Sequence, residues 1–189
     1  MRIARIVMCM LSIIFLFPVQ PGAGQDWEVF HGRIATIRYH DEDQISSLSK
    51  KIRYDLSDNK GINLSQSISP KAKDALYNQL EAKIEMILAR VQFLLDMNPK
   101  KNPHFTIQIY STAEELRQYY SDQYGFGGDF PVAFYDADED TIYISLKEIN
   151  ERIMAHEMAH MIIDQSFHVT LPIQVQEILA QYVDMHLSD

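Results

Sequence analysis

Apolar residues along this chain repeat at two spacings, and each spacing predicts an element. Val29–His31 and Ile34–His40 are rich in β-branched and aromatic residues and read as strands. Asp41 stands where it can cap a polar helix running to about Leu56, and Asp58-Asn59-Lys60-Gly61 reads as a loop. Ser69-Pro70 is a helix start, with Ser as cap and Pro in the first turn. Beyond it Leu76, Leu80, Ile84, Ile87, Leu88, Val91, Leu94 and Leu95 recur at helical spacing. This long amphipathic helix is predicted to end before Asn98-Pro99.

The second half starts with a strand, Phe105–Tyr110, followed by Ser111-Thr112-Ala113-Glu114, which fits a capping box. A helix should begin there and reach about Ser121, before the flexible loop Tyr124–Gly128. Val132–Tyr135 and Thr141–Ser145 read as strands of a hairpin joined by the acidic turn Asp136–Asp140. A helix from about Lys147 to Gln165, a loop at His168–Leu171 and a last helix opened by Pro172 complete the pattern. Strands and helices mix without regular βαβ alternation, which predicts an α+β fold. With no internal repeat or long linker, residues 25–189 should form a single domain.

The N-terminus departs from these patterns. Arg2 and Arg5 precede an apolar run from Ile6 to Phe17, and Pro18, Pro21 and Gly22-Ala23-Gly24 follow. That is the layout of a signal peptide over residues 1–24, cleaved after Ala23 or Gly24. The run is shorter than the roughly 20 residues a membrane-spanning helix needs. The mature protein is therefore expected to be secreted or periplasmic, with no membrane association after cleavage. Cys9 is the only cysteine and lies inside the run, so cleavage would leave no thiol for a disulfide, a metal or a nucleophile. The formal net charge of −9 argues against a nucleic-acid partner, and losing Arg2 and Arg5 would deepen it. Asn63-Leu64-Ser65 fits a glycosylation sequon, relevant only to a eukaryotic secretory pathway.

Candidate chemistry enters with His156-Glu157-Met158-Ala159-His160, an H-E-x-x-H. On a helix the two histidines lie one turn apart on one face, where both imidazoles can reach one zinc ion. Glu157 stands beside them, placed to take a proton from the metal's water. Three fixed residues in five occur by chance, so the context has to decide. A third ligand at the spacing H-E-x-x-H-x-x-G-x-x-H would need Gly and His where Ile163 and Ser166 stand. His168 follows in the next loop, and Glu177 lies on the helix opened by Pro172. If that helix folds back, Glu177 can face the histidines, giving two His and one carboxylate with one position open, a catalytic zinc geometry.

The segment Leu171-Pro172-Ile173-Gln174-Val175-Gln176-Glu177-Ile178-Leu179-Ala180-Gln181-Tyr182, placed after H-E-x-x-H, resembles the peptidase MA-like group of gluzincin metallopeptidases. Its pattern is similar to L-P-x-W-L-x-E-G-x-A-x-Y, matched here at Leu171, Pro172, Glu177, Ala180 and Tyr182. The resemblance implies a zincin-like fold, with a small mixed or antiparallel sheet packed on the H-E-x-x-H helix and a glutamate-bearing helix following. It implies zinc (Zn2+) held by His156, His160 and Glu177, with Glu157 as base and a peptide or protein as substrate. An oxyanion donor is also needed; Tyr182, His168 and Tyr135 are available, and Tyr182 is taken as the candidate. Asp184 and Asp164 are placed either to orient a ligand histidine or to be solvated acids, and Gln181 shares the Glu177 face. In zincin-like folds an edge strand above the motif helix pairs with substrate; Val132–Tyr135 and Thr141–Ser145 are the two candidates.

Two positions depart from the pattern. Gln174 stands for Trp, and Ile178, which could crowd or close the site, stands for Gly. They keep open a second expectation, a non-catalytic zincin-like module that binds a peptide or protein.

Overall fold

The structure, a computed structural model, describes residues 26–54, 72–99, 103–125 and 130–189. The expected signal peptide with Cys9, the helix end at Leu56, the loop Asp58–Gly61, the sequon at Asn63 and the Ser69-Pro70 start lie outside the described residues, as does most of the Tyr124–Gly128 loop.

The described elements run β1 (Glu28–His31), β2 (Ala35–Tyr39), α1 (Glu42–Lys51), α2 (Ala72–Leu95), β3 (Phe105–Tyr110), α3 (Ala113–Tyr124), β4 (Ala133–Asp136), β5 (Thr141–Ser145), α4 (Glu151–Ser166) and α5 (Ile173–His186). The fold is α+β, and its sheet is mixed, in the order β1-β2-β3-β5-β4. The two outer pairs, β1–β2 and β4–β5, are antiparallel, while β2–β3 and β3–β5 are parallel. Parallel neighbours require long crossovers, which α1 and α2 supply before β3 and α3 with β4 supply before β5. The hairpin turn closes at Asp140, whose φ of 50° is left-handed. The order leaves β4 at a free edge and β5 in the interior.

Period-2 alternation divides the sheet into two apolar faces. Ile37, Ile107, Ile109, Ile142 and Ile144 point to one side, against Leu80, Ile84, Ile87 and Val91 of α2 and Met154, Ala155, Met158 and Ala159 of α4. Tyr110 and Tyr143 point to the other, against Leu116 of α3, with Trp27, Tyr119 and Phe134 around them. The motif helix is thus a core helix, with Met154, Ala155, Met158 and Ala159 fully buried. Alanines at 155 and 159 lie one turn apart on its buried side.

Four helix boundaries differ from the sequence expectation, two of them because a neighbouring polar group captures the cap. α1 starts from Asp41 as expected but stops at Lys51, and buried Ile52 is extended. At α3 the cap is Thr112, not Ser111: Thr112 Oγ1 accepts from Glu115 N at 3.3 Å, and Glu115 Oε2 accepts from Ser111 N at 2.9 Å. Ser111 Oγ accepts instead from Gln44 Nε2 of α1 at 3.0 Å. α3 then continues past Ser121 to Tyr124 and ends at Gly125, whose φ of 83° favours glycine. α4 begins at Glu151 rather than Lys147, because Asn150 Oδ1 accepts from Arg152 N and Ile153 N at 2.9 and 3.1 Å.

α5 folds back along α4 and is pinned twice. Arg152 Nε meets Asp184 Oδ1 at 2.6 Å, joining the start of α4 to the end of α5. From α2, Arg90 donates to the carbonyls of His186 (2.9 Å), Leu187 (3.3 Å) and Asp189 (3.0 Å). Leu187 O also accepts from the Tyr54 hydroxyl at 3.2 Å, and a cation among such carbonyls is favourable at a helix C-terminus.

Candidate metal centre

The folding back of α5 determines which side chains meet. His156 and His160 project from α4 one turn apart, and Glu177 of α5 stands across from both. His156 Nε2 and His160 Nε2 are 3.2 Å apart, and Glu177 oxygens lie 3.4 Å from His160 Nε2 and 3.7 Å from His156 Nε2. Ligands about 2.0 Å from a tetrahedral zinc are separated by about 3.3 Å, so the three donors outline one face of a zinc tetrahedron. They also form a group able to hold a metal ion. The donor chemistry agrees. Desolvation, then the neighbouring His156, lower the pKa of His160, which keeps that imidazole neutral with a lone pair to offer.

Glu157 stands beside this triangle and is only 8% exposed. Burial pushes its carboxyl from the ordinary 4.5 up to about 8; the Tyr135 backbone N–H, which it accepts, opposes the shift, and Glu177 adds to it. Metal-free, Glu157 is therefore predominantly protonated at neutral pH. That backbone bond ties it to edge strand β4.

The group opens into a cavity of about 550 Å³ between β4, α4 and α5, which also reaches Tyr120 of α3 and Thr170. Larger by volume is a separate, mainly apolar cavity of about 820 Å³ under Met97, Pro103 and Phe167, which none of the three donors lines.

The other candidates are distributed differently. Tyr182 does not line the cavity at the donor triangle; it is 43% exposed and stacks on His186, ring centres 4.3 Å apart. Five residues along a helix is a rotation of about 140°, which turns Tyr182 away from the Glu177 side. His168 is exposed and lines the separate cavity, so the structure does not bring it to the donors. Tyr135 contributes to the cavity wall, but its hydroxyl donates to Asp140 Oδ1 at 3.0 Å. Asp184 is engaged by Arg152 and orients α5, not a histidine. Gln174 and Gln181 are exposed. Ile178 is 66% exposed and absent from the cavity wall, so it neither crowds nor closes the site. Asp164 does line the cavity.

Two residues emerge only from the fold. Gln176 hydrogen-bonds His160, while its Nε2 donates to Leu171 O at 2.8 Å, leaving its oxygen to accept from the imidazole. Such a contact holds a ligand ring in orientation. Its one sequence signal was adjacency to Glu177. The other is Tyr120, a phenol in the cavity wall from a helix about 36 residues earlier in the chain than the motif, which no local pattern marks.

No family model, no curated protein and no solved structure matches this chain.

Proposed function

We propose that this chain is an exported zinc metallopeptidase of gluzincin type on a zincin-like fold. The observation that carries the reading is the His156–His160–Glu177 triangle, with edges close to those of a zinc tetrahedron, beside buried Glu157. A zinc ion held by these residues would supply Lewis-acid activation of water and of the peptide carbonyl.

The remaining work falls to the chain's own residues. A nearby dication favours ionised Glu157, whose carboxylate then takes the proton of the attacking water and returns it to the leaving amine. Gln176 and neutral His160 keep the donor set oriented. Strand β4 supplies the peptide-binding edge. Ser145 N donates to Val132 O at 2.8 Å, so Val132–Ser145 and Phe134–Tyr143 are the hydrogen-bonded pairs of the hairpin. The peptide groups of Ala133 and Tyr135 therefore turn outward. Tyr135 N–H goes to Glu157, and Ala133 N–H and C=O are directed where an extended peptide would add as a strand. Exposed Ile178 removes one of the two departures that favoured a non-catalytic binding module.

The test is metal content together with cleavage. Purified protein should hold about one zinc per chain. Glu157→Ala should abolish cleavage of a peptide library and keep the metal, and Glu177→Ala should weaken metal binding. No zinc after purification in metal-replete buffer would overturn the metalloenzyme reading. Zinc without cleavage would leave the binding module.

A further inference from the structure

We infer that Asp164 is a specificity-determining residue that selects substrates carrying a cationic group close to the scissile bond. The inference rests on the peptidase reading above and names its substrate class.

Asp164 lies one helical turn beyond His160 and lines the same cavity as Glu157, His160 and Glu177. With the donor triangle assigned to zinc and Glu157 to proton transfer, Asp164 is the one carboxylate of the wall with no task. Among the described residues it makes no hydrogen bond and no ion pair, and no Lys or Arg lines the cavity. Desolvation first, then the like charges of Asp140 and Asp138 in the β4–β5 turn, raise its pKa. Asp140 is itself held in place by Gln165 Nε2 at 2.9 Å and Tyr135 Oη at 3.0 Å. This end of the cavity, beyond the donor triangle, therefore carries clustered carboxylates with no lining Lys or Arg to pair with them.

The geometry sets the distance from the reacting bond. β4 and α4 run in the same direction past the cavity: Tyr135 meets Glu157, and Asp140, after β4, meets Gln165 at the end of α4. Four helical residues past His160 is a rise of about 6 Å, and an extended peptide advances about 3.4 Å per residue. A cationic group within about two residues of the scissile bond reaches Asp164. An alkylammonium or guanidinium side chain and a free α-amine share this chemistry.

The test uses zinc-loaded protein and two peptide libraries, one N-acetylated with Lys, Arg, norleucine or Glu around the cleavage position, the other with free N-termini. Isothermal titration of the same peptides into zinc-loaded Glu157→Gln protein reads binding without turnover. The expected result is about a tenfold preference for the cationic over the norleucine peptide, in kcat/KM and in binding, falling with salt. Asp164→Asn should reduce it to about threefold or less, and Asp164→Glu should retain it. Preference confined to free N-termini would assign the α-amine as the cation; preference among acetylated peptides would assign the side chain. Efficient cleavage without cationic preference, or a preference unchanged in Asp164→Asn, would overturn the inference while leaving the peptidase intact. Neither cleavage nor binding of any peptide would overturn both.

Discussion

Replacing Glu157 with Gln should stabilise the metal-free protein, and by an amount that grows with pH. In the fold the Glu157 carboxyl is pushed up to about 8 from its ordinary 4.5, chiefly by burial. The native state therefore keeps a proton that the unfolded chain has released throughout the interval between these values. A raised acid pKa means that the stability present below pH 4.5 is lost as pH rises, the loss ending near pH 8. The slope reaches about 1.4 kcal/mol per pH unit, so about 3 kcal/mol is gone by pH 7, most of it above pH 5. Glutamine does not ionise, is nearly isosteric, and its amide oxygen can still accept the Tyr135 N–H. Urea denaturation of both proteins in chelator, from pH 4.5 to 8, measures the difference. The variant should be close to wild type at the acid end and about 3 kcal/mol more stable at pH 7. Titration of the histidines, Glu177 and the surface acids occurs in both proteins and largely cancels in the subtraction. A difference that stays flat with pH would refute the burial argument, and with it the reason to propose this residue as the base.

Three more outcomes follow from the same contacts. Gln176→Leu should weaken zinc binding about 10- to 100-fold by releasing His160, as read by competition with a chelator of known affinity. Ile178→Gly should leave kcat/KM nearly unchanged, because the side chain is exposed, while costing about 1 kcal/mol of stability for glycine within a helix; a large gain in activity would mean Ile178 closes the site. Arg90→Met should cost about 1–2 kcal/mol by uncapping the α5 carbonyls, seen as a lower denaturation midpoint, and should loosen zinc through Glu177.

What the sequence determined by itself was local. Period-2 and period-3.6 spacing made Phe105–Tyr110, Thr141–Ser145 and the long α2 legible, because alternation and helical recurrence record which face is buried. The relation of His156 to His160 was equally legible, since helix geometry alone sets a one-turn separation. Caps were less so: whether Ser111 or Thr112 caps α3 depended on Gln44, distant in sequence, taking the Ser111 hydroxyl. Only the tertiary structure decided that β4 is the edge strand, because strand order depends on crossovers and not on the strands' own residues. Only packing decided the site's composition. The fold-back of α5, pinned by Arg90 and Asp184, carries Glu177 to the histidines and Gln176 to His160, and turns Tyr182 and Ile178 outward. The physical reason is the same in each case. Spacing along a helix states which residues share a face, while the partner of that face is set by contacts between residues far apart in the chain.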